Sequence, residues 1–367
     1  MLKTPGESLL KATLEDHVLM SLAIKRVGKF VELAHIQEKI SRDVRKKISV
    51  DETKQLIDSL VGKGLLEERA GEYAITGKGR EYFEKRWRQV REELNQDYLK
   101  VYRAKKYYPH VADVLLEFCR DRWVSVFRLF TGRAWLQRKL GPKYITIKSA
   151  HDIEKWLDVH GIDFIPYIHR VGSDRPDWLV IDFDAGKEVK IDDTKKVVRN
   201  AYEVLSGYGV EPALKFSGSR GFQIWAQFKQ KELPEDYKPK QLRSERRERN
   251  AFNFYADIVR FVESRVAEKL HGLTTSETAK KEARVDKVLL DASIIKPMGD
   301  VRAPYSMHYK TGLISMPLTL NELVKFEPDQ ADPELVASRY KNKGNEFLLK
   351  QSDGEEIFKE TVEWCKG

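Results

Sequence analysis

Residues 177–184 read Asp177-Trp178-Leu179-Val180-Ile181-Asp182-Phe183-Asp184, an apolar run that closes on two carboxylates spaced two apart. Successive side chains of a strand point to opposite faces. Trp178, Val180, Asp182 and Asp184 therefore share one face, and Leu179, Ile181 and Phe183 share the other. The two aspartates then lie about 7 Å apart along one side of a strand end. That spacing suits carboxylates bridging divalent cations, which sit about 4 Å apart in two-metal sites. Hard oxygen ligands select magnesium or manganese over zinc. An isolated Asp-x-Asp more often marks a strand leaving the core for a polar loop, so other segments have to decide.

Two of them do. Residues 215–225, Lys215-Phe-Ser217-Gly218-Ser219-Arg220-Gly221-Phe-Gln223-Ile-Trp225, place a Ser/Gly turn with an arginine between two short apolar segments. Glycine permits positive φ and close backbone approach, exposed amides can cup an anion, and Arg220 offers a fork matched to phosphate. By itself the segment is equally a plain hairpin turn. Further on, Val288 to Ile295 predicts a strand with Asp291 embedded in it, a carboxylate costly to bury unless it is paired or bound to metal. After it, Ser306, His308 and Lys310 alternate, so an extended chain would aim all three at one ligand. Each feature has a bland reading as a salt-bridged residue or a basic strand edge; three in this order are much harder to read that way.

The 367 residues suffice for one large domain and a small one, and a hydrophobic fraction of 41 % excludes wholesale disorder. No stretch approaches eighteen uninterrupted apolar residues and the first eight lack a secretory layout, so no membrane partner and an intracellular, cytoplasmic, nucleoid-associated protein are expected. With Cys119 and Cys365 as its two cysteines and eight scattered histidines, the chain offers no structural zinc site. A formal charge of +9 favours a polyanionic partner without specifying chemistry.

Domains are expected at 1–94, 95–342 and 343–367. In the first, helical spacing recurs at Val18-Leu19-Leu22-Ala23, at Leu33-Ile36-Ile40 and at Leu56-Ile57-Leu60-Val61, followed by a hairpin about Ala70-Gly71 and a helix capped by Thr76. Three helices and a small hairpin resemble a winged helix. Its wing tip, Glu67-Glu68-Arg69-Ala70-Gly71-Glu72, is poor for phosphate, and 19 basic residues against 16 acidic in 1–95 give it no special share of the charge. DNA contact and docking of a protein partner stay level here. The middle domain alternates strands and helices: Tyr144 to Ile147, Ser149 through Leu157, Trp178 to Asp184, Thr194 to Leu205 and Leu214 to Phe216. Residues 229–249 form a charged surface loop, and the tail beyond Gly354 predicts a short packing helix.

The order of the three motifs resembles the archaeo-eukaryotic primase superfamily, and within it the polymerase domain of bacterial ligase D. The likeness rests on Arg175 to Asp184, the Ser217 turn, and Asp291 followed by Ala303-Pro-Tyr-Ser306. Tyr107-Tyr108, Leu115-Leu116, Arg122 and Arg128 add to it at the front and Pro317 to Leu323 at the end, so it spans roughly 98–342. The resemblance implies an α+β fold, a primase catalytic core of mixed α/β structure with an RRM-like sheet behind the small helical domain. It implies that Asp182, Asp184 and Asp291 hold two Mg2+ or Mn2+ ions. Ser217, Arg220, Gln223, Arg302, Ser306, His308 and Lys310 would then position a nucleoside triphosphate. One departure stands out: where the family carries histidine, this chain has Gln223, which can donate a hydrogen bond but cannot become cationic or pass a proton.

The expected function is template-directed DNA primase or polymerase activity, with a DNA template and primer and nucleoside triphosphates as partners. Two alternatives stay open: a gap-filling repair polymerase that needs an existing 3′ end, and a nucleic-acid-binding or adaptor protein with impaired turnover. The three retained aspartates argue against the last, since a surface that merely binds nucleic acid gains nothing from clustered negative charge.

Overall fold

A computed structural model describes residues 10–229, 232–242, 247–276 and 285–367. Positions 230–231 and 243–246 of the expected loop, and the first nine residues, lie outside the described residues. The chain divides into two compact units. One is drawn from Met1–Pro109, Phe127–Leu136 and Ala150–Ile162, the other from His110–Val126, Gln137–Ser149 and Asp163–Gly367.

In the first unit the helices α1 (Leu14–Ala23), α2 (Leu33–Asp43) and α3 (Val50–Gly62) alternate with the short strand β1 (Val31–Glu32) and the hairpin β2 (Leu66–Arg69) and β3 (Glu72–Ile75). The strands form one antiparallel sheet in the order β1-β3-β2. Local chemistry sets the ends. Thr13 with Asp16 and Ser49 with Glu52 make reciprocal capping boxes at the starts of α1 and α3. The hairpin turns through Ala70 and Gly71, both at positive φ. Of the positions with helical spacing, Val18, Leu19, Ile36, Ile40, Ile57 and Leu60 are buried and Leu33, Leu56 and Val61 half-buried. Thr76 caps α4 (Gly77–Val90), and Asn95 caps α5 (Gln96–Tyr107).

The chain continues through α6 (Ala112–Cys119), β4 (Val124–Phe130), β5 (Arg133–Gln137), β6 (Lys139–Leu140), β7 (Lys143–Tyr144), α7 (Ala150–Asp158) and β8 (Gly161–Pro166). The strand expected from Tyr144 to Ile147 is thus limited to its first residue.

The second unit carries the small β6-β7 sheet and is built mainly on a seven-stranded one. Its strands are β9 (Trp178–Ala185), β10 (Ala213–Phe216), β11 (Phe222–Phe228), β12 (Thr274–Thr275), β13 (Val288–Asp291), β14 (Pro317–Leu318) and β15 (Gln351–Ser352). They lie in the order β12-β13-β9-β11-β10-β14, with β15 added to β11. The quoted stretch, β9, is central and antiparallel to both neighbours. Leu179, Ile181 and Phe183 are wholly buried, as the alternation requires. The helices α8 (Ile191–Gly207) and α9 (Ala251–Lys269) pack on this sheet; α9 was not legible in the sequence. On the other face of β9 the rings of Trp178 and Trp225 lie 4.9 Å apart and Phe118 of α6 packs on both at 6.3 Å. Aromatic packing therefore closes the start of that face and leaves its far end to the aspartates. The chain closes with α10 (Leu320–Lys325), α11 (Pro333–Lys343) and α12 (Glu355–Lys366), the last being the expected tail helix. No helix among the described residues is long and apolar enough to cross a membrane.

Candidate active site

The site grows out of strand register. Asp182 on β9 pairs directly with Asp291 on β13 on one side and with Gln223 on β11 on the other, and Gln223 pairs with Lys215 on β10. Residues opposite one another in antiparallel strands project to the same face. A polar row, Asp291, Asp182, Gln223 and Lys215, therefore crosses four strands, with Asp184 on the same face two residues along.

Within the row each group has a definite partner. The Gln223 amide donates to Asp182 Oδ1 at 3.1 Å and accepts from Trp225 Nε1 at 3.3 Å. Asp291 accepts from the Ser293 backbone at 2.7 Å and from its hydroxyl at 2.8 Å. Asp182 has its carboxyl pushed up to about 6, first by burial and then by Asp184 and Asp291, with Gln223 opposing. Lys215, fully buried, donates to Ser315 Oγ at 2.6 Å. Burial, and then Arg302, hold its ammonium well below the usual lysine range.

The Ser/Gly turn packs tightly beside this row. Ser217 Oγ accepts from the amides of Ser219 and Gly221 at 3.4 and 3.3 Å. Gly218 has φ +89°, and a Cβ there would lie 2.9 Å from the Cβ of His308. A Cβ on Gly221 would lie 2.5 Å from the Phe183 carbonyl oxygen, so the turn sits directly on β9 between its two aspartates. Arg220 is exposed at the turn.

Arg302 faces elsewhere than a bound anion. Its guanidinium makes two 2.8 Å bonds to Asp163, which is wholly buried, and donates to the Ser217 carbonyl at 3.0 Å. It joins β8 to the turn. Ser306, also wholly buried, accepts from the Phe164 amide at 2.7 Å. The run from Ser306 to Lys310 is not one extended strand: Met307 makes an isolated bridge with Ile314, and residues 309–311 form a turn. Alternation therefore does not aim Ser306, His308 and Lys310 at one point. Instead, His308 Nδ1 accepts from the amides of Lys310 and Thr311 at 3.2 and 3.4 Å, which leaves the ring proton on Nε2. Thr311 Oγ1 donates to the Gly218 carbonyl at 2.5 Å, tying this loop to the Ser/Gly turn.

Sequence reasoning missed Asp163, Lys215, Trp225 and Ser293. Asp163 stands alone in the buried run Gly161–Pro166, and Lys215 alone in Ala213–Phe216. The rule that singled out Asp291, a charge amid β-formers, would have found both.

Hard carboxylate oxygens on one face of adjacent strands, with Asp182 raised by burial and then by its like-charged neighbours, have the chemistry of a divalent-cation site. As placed, they are not drawn together: among the described residues no group of three or more His, Cys, Asp or Glu side chains could hold a metal ion. Both Asp291 oxygens are turned to Ser293.

An Asp-x-Asp strand, a Ser/Gly turn packed against it and a third aspartate in register thus stand together in one mixed α+β fold. The model of the LigD primase-polymerase domain family matches residues 135–347, more than half of the chain, and the chain belongs to that family. It is similar in fold to the polymerase domain from Mycobacterium tuberculosis ligase D, solved in complex with DNA. The TM-score is 0.55 and the identity 21 %, over 66 % of this chain and 88 % of that one. It is also 27 % identical, over 260 residues, to the uncharacterized protein MJECS07 of Methanocaldococcus jannaschii. That match takes in 60 % of this chain and 53 % of the relative, so the chain spans about half the length of the curated relative it matches.

Proposed function

We propose that the chain is a metal-dependent nucleotidyltransferase that extends nucleic-acid strands on a template, a primase or polymerase. One observation carries the reading: Asp291, Asp182 and Gln223 lie in a single register row, with Asp184 on the same face. Asp182, Asp184 and Asp291 would hold two Mg2+ or Mn2+ ions, whose charge lowers the pKa of a primer 3′-hydroxyl and offsets charge on the leaving pyrophosphate. Asp291 would have to turn from Ser293 to join them.

The chain's own groups have separable roles in this reading. The Ser217 to Gly221 turn presents its backbone to a triphosphate, and exposed Arg220 supplies the fork. His308, its tautomer set by two amides, donates from Nε2 to a phosphate oxygen, and Lys310 adds charge beside it. Arg302 and Ser306 act from behind: Arg302 braces the turn through Asp163 and the Ser217 carbonyl, and Ser306 braces β8. Gln223 fixes one oxygen of Asp182. The positive charge of the chain supports a DNA template and primer as partners, with affinity falling steeply as salt rises. The helical front unit, with its three helices and β1-β3-β2 sheet, is proposed as a winged-helix-like module.

The test is extension of a labelled primer on a longer template with deoxynucleotides and manganese, beside an unprimed template and ribonucleotides. Wild type should extend, and Asp182→Ala/Asp184→Ala should not; equal behaviour would remove the catalytic assignment. The engagement of Asp291 with Ser293 favours a second reading, nucleotide binding without turnover. Manganese-dependent triphosphate binding with no incorporation on any template would select it.

A further inference from the structure

The first unit contains a groove of about 1170 Å³ remote in sequence from the aspartate motifs, walled by the turn after α1 and by faces of α4, α5 and α7. Its lining has two characters. Val27, 78 % exposed, and exposed Pro109 supply the accessible aliphatic surface, while Ala23 and Leu157 line the groove as buried side chains. Around them seven lysine and arginine side chains face four carboxylates.

Charge pairing leaves that surplus uncompensated. Glu84 is taken by Lys106 and the Tyr102 hydroxyl and Asp158 by Lys105, while Glu154 meets the His151 ring and Glu81 has no ion pair among the described residues, so lysines and arginines still outnumber carboxylates on this lining. Lys25, Arg26 and Lys85 have no carboxylate partner among the described residues. The Lys25 ammonium is held below the usual lysine range by burial and by the nearby charges of Lys105 and Lys29, as expected of a cation lacking its counter-ion. An apolar floor with unpaired cations on its rim calls for an occupant with an apolar stripe flanked by negative charge.

Size and chemistry narrow the occupant. An α-helix is about 10–12 Å across with a pitch of about 5.4 Å, so the groove has room for roughly two turns. Single-stranded nucleic acid would bring the negative charge, but proteins that bind it stack its bases on exposed aromatic rings. The aromatic residue of this groove, Tyr102, is 8 % exposed, packed edge-on against Phe83 and Trp87. We propose that this groove is a docking site for an acidic amphipathic helix of a partner protein, with aliphatic side chains seated against Val27 and Pro109 and carboxylates meeting Lys25, Arg26 and Lys85.

The full chain should be titrated, by fluorescence anisotropy at low and moderate salt, with a labelled 14-residue helical peptide. It carries leucines at i, i+3, i+4, i+7 spacing and glutamates elsewhere. A shuffled peptide of the same composition and an oligo-dT of similar length are titrated in parallel. The ordered peptide should bind at least tenfold more tightly than the shuffled one. Arg26→Glu/Lys85→Glu should abolish that binding, and Asp182→Ala should leave it unchanged. Val27→Lys, at an exposed position that does not threaten folding, should weaken it severalfold although it adds positive charge, because it removes apolar floor. Equal binding of both peptides, no binding of either, or tighter binding of oligo-dT that is lost in Arg26→Glu/Lys85→Glu would each overturn the proposal; the last would make the groove a nucleic-acid site.

Discussion

Gln223 stands directly across from Asp182 in the antiparallel register of β11 and β9, and its amide nitrogen donates to Asp182 Oδ1 at 3.1 Å. The orientation is forced from behind. Trp225 Nε1 can only donate, and it donates to the Gln223 oxygen at 3.3 Å; a flipped amide would set N–H against N–H and oxygen against carboxylate. A neutral residue thereby gives Asp182 one fixed oxygen and leaves the other for a ligand.

Removing that donor should matter more than changing its type. Gln223→Leu is expected to lower nucleotide incorporation at least tenfold. Gln223→His, which can still donate to Asp182, should leave it equal or higher. Trp225→Phe should cost about 1 kcal/mol of transition-state stabilisation, the worth of one neutral hydrogen bond. Single-turnover rates with a primed template, together with Mn2+ affinity by electron paramagnetic resonance, separate the three.

Asp182 should make the metal-free protein pH-sensitive. Its folded pKa is raised from 3.8 to about 6, so between those values the folded state holds a proton that the unfolded state has lost. Stability then falls as pH rises through this window and stays lower above it. Asp182→Asn should accordingly raise the melting temperature by about 2 °C at pH 8 in EDTA and change nothing near pH 4. A stabilisation that grows toward low pH would contradict this environment.

Asp163 is expected to be a stability hot point. Asp163→Ala strands the Arg302 guanidinium in the interior, which costs about 3–5 kcal/mol, and urea unfolding should show it. Replacing both members, Asp163→Leu with Arg302→Met, should cost clearly less than the two single changes added together. Because Arg302 also holds the Ser217 carbonyl, incorporation should fall in each of these variants, through the triphosphate KM before kcat.

The contact of the Ser/Gly turn with β9 gives a further test. Gly221→Ala places a methyl group 2.5 Å from the Phe183 carbonyl oxygen, so the turn or the strand end bearing Asp184 must shift. We expect a destabilisation of about 1–3 kcal/mol and at least a tenfold loss of incorporation, whereas Ser219→Ala in the same turn should stay near wild type in both assays.

The family resemblance implied the α+β class; the sequence by itself determined the alternating strand at Trp178–Asp184, the helices of the front unit and the order of the three motifs. These follow from period-2 and period-3.6 patterning and from local capping, which act over a few residues. Tertiary structure alone decided who faces whom. Register, a long-range property, set Asp291 opposite Asp182 and brought Gln223 and Lys215 into the same row. Packing turned Arg302 onto Asp163, and Ser306 into the core, because a buried charge or hydroxyl takes the partner that burial provides. The bend between Met307 and Thr311 cancelled the alternation expected of Ser306, His308 and Lys310. The cationic groove was equally illegible: its lining is scattered from Ala23 to Asp158 along the chain, and only folding gathers those side chains around one apolar floor.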